Sequence, residues 1–189
     1  AYDYTDESGN LVYQVVRFHP KDFRQRRPDG KGGWIYSLKG ISPLLYRLPL
    51  VIKAIRDSRT IIVTEGEKDV DNLERLGFSA TCNSGGAGKF PAGMVHHFAG
   101  ARVIILPDND APGEKHAAQV AGMLNGVASE IRILMLPGLP SKGDVSDWIQ
   151  KGGTREQLVA LMKDAPLWKP PADVDVVTQA EKILRERTE

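Results

Sequence analysis

From residue 60 onward, short apolar runs alternate with amphipathic stretches, whereas the first third of the chain alternates in shorter, more polar pieces. The run T-I-I-V-T at 60–64 stops at Glu65-Gly66. A buried parallel strand ends in this way when it delivers an acid to its carboxyl end. A-R-V-I-I-L at 101–106 repeats the design and opens into Pro107, Asp108, Asn109 and Asp110. Further strands are predicted at 79–83 and 130–136. Helices are predicted at 67–76, closed by Gly77, from Ala111-Pro112-Gly113 onward with Ala117, Val120, Ala121 and Leu124 inward, and at 154–165 through Leu158, Leu161 and Met162. The alternation predicts an α/β fold, a sheet of about four parallel strands flanked by helices.

Ahead of it, two β-type runs at 2–18 surround a turn-rich cluster at 6–10, as in a hairpin whose second strand is 11–18. A further strand is expected at 34–38. One or two helices broken at Pro49 are expected over 42–59, with Leu44, Leu45, Leu48, Ile52 and Ile55 on one face. The expected division is a small basic β-hairpin-containing module at 1–59, a catalytic unit at 60–165, and a linker with a charged helical tail at 166–189.

Composition is ordinary for a globular chain, 41% hydrophobic and 26% charged over 189 residues. No run suits a membrane span and the start does not read as a signal peptide, so a cytoplasmic location without a membrane partner is expected. The single cysteine, Cys82, excludes an internal disulfide and reads as a buried small hydrophobe. The net charge of +1 conceals a division: 11 Lys and Arg against 3 Asp and Glu between residues 12 and 59, 14 against 21 elsewhere. A basic part for a polyanion and an acidic part for a cation fit that division. In the basic part Arg17, Lys21, Arg24, Arg26, Arg27 and Lys31 are interleaved with Phe18, Phe23 and Trp34. Cations contact phosphates and rings stack on unpaired bases, so this reads as a track for single-stranded nucleic acid; the alternative is a flexible basic loop.

Glu65 on one strand tip and Asp108 and Asp110 on another bring three carboxylates to the rim where open α/β sheets bind ligands. They repel unless a cation joins them, and hard oxygen ligands favour Mg2+ or Mn2+. An acid before a helix also serves as a cap, but a cap explains one carboxylate and not the matched glutamate. Asp69, one turn after Glu65, points back to the same rim or is a solvated first-turn residue. The loop Ser84-Gly85-Gly86-Ala87-Gly88-Lys89 fails as a P-loop, since Asn83 and Phe90 occupy two of its required positions. Its glycines, with Lys89, still suit a phosphate, or form only a turn. His96 and His97 are adjacent on an expected short helix at 94–98; facing different directions, they read as structural or surface groups.

E-G-E-K-D at 65–69, D-N-D at 108–110 and K-G-D-V-S-D at 142–147 together resemble the Toprim domain of bacterial-type primases, topoisomerases, recombination mediators and some nucleases. Residues 2–46 resemble the region preceding it in phage and plasmid primase-like proteins. The resemblance implies a DNA primase that makes RNA primers from nucleoside triphosphates on a single-stranded DNA template. It implies Asp108 and Asp110 as metal ligands, Glu65 as ligand or proton exchanger, and Asp69 and Asp144 as further metal contacts. Asp147 is ranked behind Asp144, because it also suits a helix cap. Gly66, Gly85, Gly86, Lys89 and Lys142 are expected near phosphates. A zinc-binding domain and a helicase domain or helicase partner are expected of a larger protein, of which this chain reads as a piece. The alternatives are a metal-dependent nuclease and a noncatalytic nucleic-acid-binding module. A topoisomerase is a weak reading, because all 5 tyrosines precede residue 47.

Overall fold

The computed structural model describes residues 1–20 and 22–171. Four parallel strands, β5 (Ile61–Val63), β6 (Ser79–Thr81), β7 (Arg102–Ile105) and β8 (Glu130–Ile133), form one sheet in the order β6-β5-β7-β8. β5 and β7 are central neighbours, in register from Ile61 beside Val103 to Val63 beside Ile105. Their apolar runs are buried on both faces, as the uninterrupted β-branched sequence requires.

One face is covered by α2 (Glu67–Arg75), α4 (Val145–Gln150) and α5 (Arg155–Asp164). Val70, Leu73, Trp148 and Leu158 join Ile62 and Ile104 in one core cluster. On the other face α1 (Leu48–Arg56), a 3-10 helix at Ala92–Phe98 and α3 (Ala111–Leu124) bury Leu48, Val51, Phe98 and Val120 against Ile61, Val103 and Ile105. Pro49 does not break a helix. It sits in the first turn of α1, where its missing N–H leaves no bond unmade. The buried stripe therefore starts at Leu48 and runs through Val51 and Ala54, with Ile52 and Ile55 only partly buried.

The amino-terminal part is a second sheet of antiparallel strands in the order β1-β2-β3-β4: Tyr2–Thr5, Leu11–Phe18, Asp22–Pro28 and Trp34–Ile35. The predicted hairpin is present, and β4 is shorter than the expected 34–38. The stretch after Phe18 is not a loop, because Asp22–Pro28 pairs along β2 from Gln14–Arg26 to Phe18–Asp22. The expected linker also begins packed. Trp168 N–H donates to Ile131 O at 2.8 Å, extending the edge beyond β8. The tail over 172–189 lies outside the described residues. No helix among the described residues is long and apolar enough to cross a membrane.

Two tyrosines fasten the antiparallel sheet to the parallel one. Tyr4 and Tyr13 stack at 4.5 Å between ring centroids and are fully buried. The Tyr4 hydroxyl donates to Glu67 Oε1 at 2.9 Å, and the Tyr13 hydroxyl lies 3.1 Å from Ser84 Oγ. Both partners sit just past carboxyl ends of parallel strands, so the two hydroxyls fix the second sheet over that rim. Tyr4→Phe should lower stability by about 1–3 kcal/mol, because it leaves the buried Glu67 carboxyl without this donor. Urea unfolding of the two proteins measures the difference.

Candidate active site

Between the two sheets lies a cleft of about 830 Å³. Its acidic wall is built by the strand ends. Glu65 follows β5, and its Oε1 accepts a hydrogen bond from Asp108 N–H at 3.2 Å. The register of β5 on β7 dictates this meeting, since Glu65 lies two residues past Val63 and Asp108 three residues past its partner Ile105. Asp108, Asp69 and Asp144 share the lining with Glu65 and Glu67.

Their burial opposes ionisation. Asp108 is pushed up to about 7, first by desolvation and then by the charges of Glu65, Asp69, Asp144 and Asp110. Asp69 is pushed up to about 6, mainly by burial, against the lowering effect of a hydrogen bond from the Ser146 hydroxyl. Glu65 is raised too, by desolvation and, after the opposing Asp108 bond, by Asp110. Asp69 is thus neither solvated nor a simple first-turn residue; it is buried at 5% exposure and tied to α4. The cation paired with this wall is Lys68, whose Nζ lies 3.0 Å from Asp144 Oδ2.

Two expected ligands carry structural duties. Asp110 caps α3 by accepting from Gly113 N–H at 2.8 Å, and it is absent from the cleft lining. Asp144 caps α4 and forms a capping box with Asp147, so the cap expected of Asp147 is shared. Asp144 nevertheless faces the cleft. Among the described residues, Glu65, Asp108 and Asp110 are not a group whose ligand atoms all lie within 4.8 Å of one another. A single ion enclosed by all three does not match that arrangement. The donor set does match Mg2+ or Mn2+ of the type held by one or two carboxylates with water and phosphate oxygens completing the shell. The uncompensated charge at Asp108 is what such an ion would relieve.

Residues given no site role by the sequence reading support the wall. Gly113 has no Cβ, and one placed there would stand 2.7 Å from Glu65 Oε1 and 2.5 Å from Asp108 O. Asn109 Nδ2 donates to Leu139 O and Pro140 O, clasping the acidic loop to the loop before α4. His116 Nδ1 accepts from Gly88 N–H at 2.9 Å and anchors the glycine loop to α3. The signals were present as A-P-G after D-N-D and as a lone histidine on the inward side of α3, but neither names its contact. Gly66, Gly85, Gly86 and Lys89 all line the cleft. Lys142 does not: its backbone N–H bonds Asn109 O at 2.9 Å, while its side chain is exposed.

The opposite wall is basic and aromatic. Residues paired across strands point to one face, so Arg17 with Phe23 and Val15 with Gln25 face the cleft. Arg24 and Arg26, paired with Val16 and Gln14, lie on the other face. There the Arg24 guanidinium stands 5.2 Å from the Phe18 ring and that of Arg26 3.9 Å from Trp34. Arg27 pairs with Ile35, and Lys31 sits in a turn held by Asp29, both away from the cleft lining. The expected single track is therefore divided between two faces; Lys21 lies outside the described residues.

The backbone as a whole matches known structures. A chain of the bacteriophage T7 assembly of lagging-strand DNA polymerase with primase domains aligns at TM-score 0.63 and 22% identity, over 88% of this chain and 78% of that one. The Aquifex aeolicus primase, with zinc-binding and RNA polymerase domains, aligns at TM-score 0.68 and 22% identity, over 88% of this chain and 40% of that one. The E. coli primase catalytic core aligns at TM-score 0.63 and 21% identity, over 87% and 51%. The fold is that of a primase catalytic core. No protein-family model and no curated protein matches the chain in sequence. On this primase fold the chain spans about half or less of the Aquifex and E. coli structures, and its cleft lies where the two sheets of the core meet.

Gly113→Ala should cost about 1–3 kcal/mol in urea unfolding, since the added methyl meets backbone at Asp108 that cannot swing away. Carboxyls with raised folded-state pKa values bind protons more tightly folded than unfolded, so stability should fall as pH rises from about 4 to 7. Asp108→Asn should flatten that fall. Mg2+ should raise the melting temperature more at pH 8 than at pH 5, because it binds the ionised form.

Proposed function

We propose that the chain is the catalytic part of a DNA primase, joining nucleoside triphosphates into a short RNA primer on single-stranded DNA. The observation that carries this reading is one cleft on a primase fold with acids on one wall and Arg17 and Phe23 on the other. In this reading residues 1–59 grip the nucleic acid and 60–165 perform the chemistry, within a larger protein holding zinc-binding and helicase functions in itself or in a partner. The setting we infer is replication in the cytoplasm, of a phage or plasmid.

In the reaction the 3′-hydroxyl oxygen of one nucleotide forms a bond to the α-phosphorus of the next. The bond from that phosphorus to the bridging oxygen breaks, and pyrophosphate leaves. Glu65, on the cleft wall, would accept the hydroxyl proton, and the burial that raises its pKa favours the protonated carboxyl. Asp108, with Asp144 or Asp69, would hold Mg2+ or Mn2+, which supplies screening of phosphate charge and a lower hydroxyl pKa. Gly85 and Gly86 permit close approach of phosphate oxygens to backbone, and the Lys89 chain lies over Gly85. Arg17 and Phe23 offer a phosphate contact and a stacking ring to the template.

The test is synthesis from labelled nucleotides on single-stranded DNA with each metal. Asp108→Ala and Glu65→Gln should each reduce product by about a hundredfold or more while the fold persists by circular dichroism. Asp110→Ala should act first on stability, through the lost cap, by about 1 kcal/mol. Phe23→Ala should weaken single-strand binding by about 1–3 kcal/mol, and Arg17→Ala should lower the salt slope by about one. Metal-dependent cleavage without synthesis would replace this reading with the nuclease. Binding that survives Asp108→Ala, with no turnover in the unmodified chain, would replace it with the noncatalytic module.

A further inference from the structure

On the rim away from the cleft, the β1–β2 turn meets the 3-10 helix at Ala92–Phe98. His96 and His97 do not diverge there as neighbours on an α-helix would. Their ring centroids lie 3.9 Å apart. Glu7, from the turn, completes the group: one ligand atom from each of the three residues lies within 4.8 Å of the other two. His97 Nε2 is 3.5 Å from Glu7 Oε1. Two donors bound at about 2.1 Å to a tetrahedral zinc ion stand roughly 3.4 Å apart, so this pair already has the spacing of adjacent ligands.

A second observation comes from burial. The His97 side chain is 8% exposed, and its Nε2 is buried with no hydrogen-bond partner among the described residues. Buried polar atoms are nearly always satisfied, so a nitrogen held beside a carboxylate at more than bonding distance has room for a ligand between them. Imidazole and carboxylate select zinc-class ions over magnesium. We propose that Glu7, His96 and His97 form a binding site for one Zn2+ ion that ties the β1–β2 turn to the 3-10 helix. Three protein ligands leave a coordination position for water or another donor. The site is independent of the acidic wall: none of the three residues lines the cleft.

The metal-stripped full chain, titrated calorimetrically with Zn2+ in excess Mg2+, should take up one ion with micromolar or tighter affinity. His97→Ala and His96→Ala should each weaken uptake by at least about tenfold, the scale on which even supporting residues of zinc sites act. Glu7→Gln changes an exposed side chain and serves where a histidine variant fails to fold. Co2+ in place of zinc should give visible ligand-field bands that His97→Ala removes. Asp108→Ala should leave zinc uptake unchanged. Absence of one-to-one uptake, or uptake unaffected by Glu7→Gln and both histidine changes, would overturn the site and leave Glu7 and His97 as an ordinary surface ion pair. Zinc uptake abolished by Asp108→Ala would likewise overturn it, by placing the ion in the cleft.

Discussion

The pairing of Val63 with Ile105 on adjacent parallel strands governs the rest of the molecule. Because both strands end together, Glu65 and the backbone of Asp108 arrive at one point, and α2, which starts there, adds its first-turn acids Glu67 and Asp69. No element could be rotated without separating these groups. The sheet is buried on both faces, so a one-residue slip would put polar ends into the core. Hydrophobic packing thereby holds apart from water a set of charges that repel one another.

That repulsion is offset locally rather than removed. Ser146 bonds Asp69, Lys68 pairs with Asp144, and the Asp108 N–H reaches Glu65. Asp108 itself has no such partner among the described residues, and burial followed by the surrounding acids raises its pKa to about 7. Above these groups the Tyr4 and Tyr13 hydroxyls set the height of the second sheet. The cleft width is therefore fixed by these two tyrosine hydrogen bonds, and not by attraction between the basic and acidic walls.

Much of this was legible in the chain. Period and strand-end acids gave four parallel strands and the place of Glu65 and Asp108, because buried parallel strands leave a strong local signature. What was not legible depends on contacts between distant segments. That Asp110 turns to its own helix while Asp144 faces the cleft is decided by how each helix leaves the sheet. The strand at Asp22–Pro28 was hidden by its charge, since five of its seven residues are polar or charged and its pairing comes from β2. Adjacent histidines diverge on an α-helix, whereas the chain here winds more tightly, as a 3-10 helix.

The pleat of that third strand has a consequence that net charge cannot express. Arg24 and Arg26 are held off the cleft only by parity, each being one step from a residue that faces it. Inserting a single residue before Phe23, with the pairing otherwise kept, would exchange the two sides of the strand. Two guanidinium groups would then face the carboxylates, and Phe23 would turn outward. The overall charge and the basic count of the segment would stay the same, so in this region a change of length would alter the cleft more deeply than most changes of residue type.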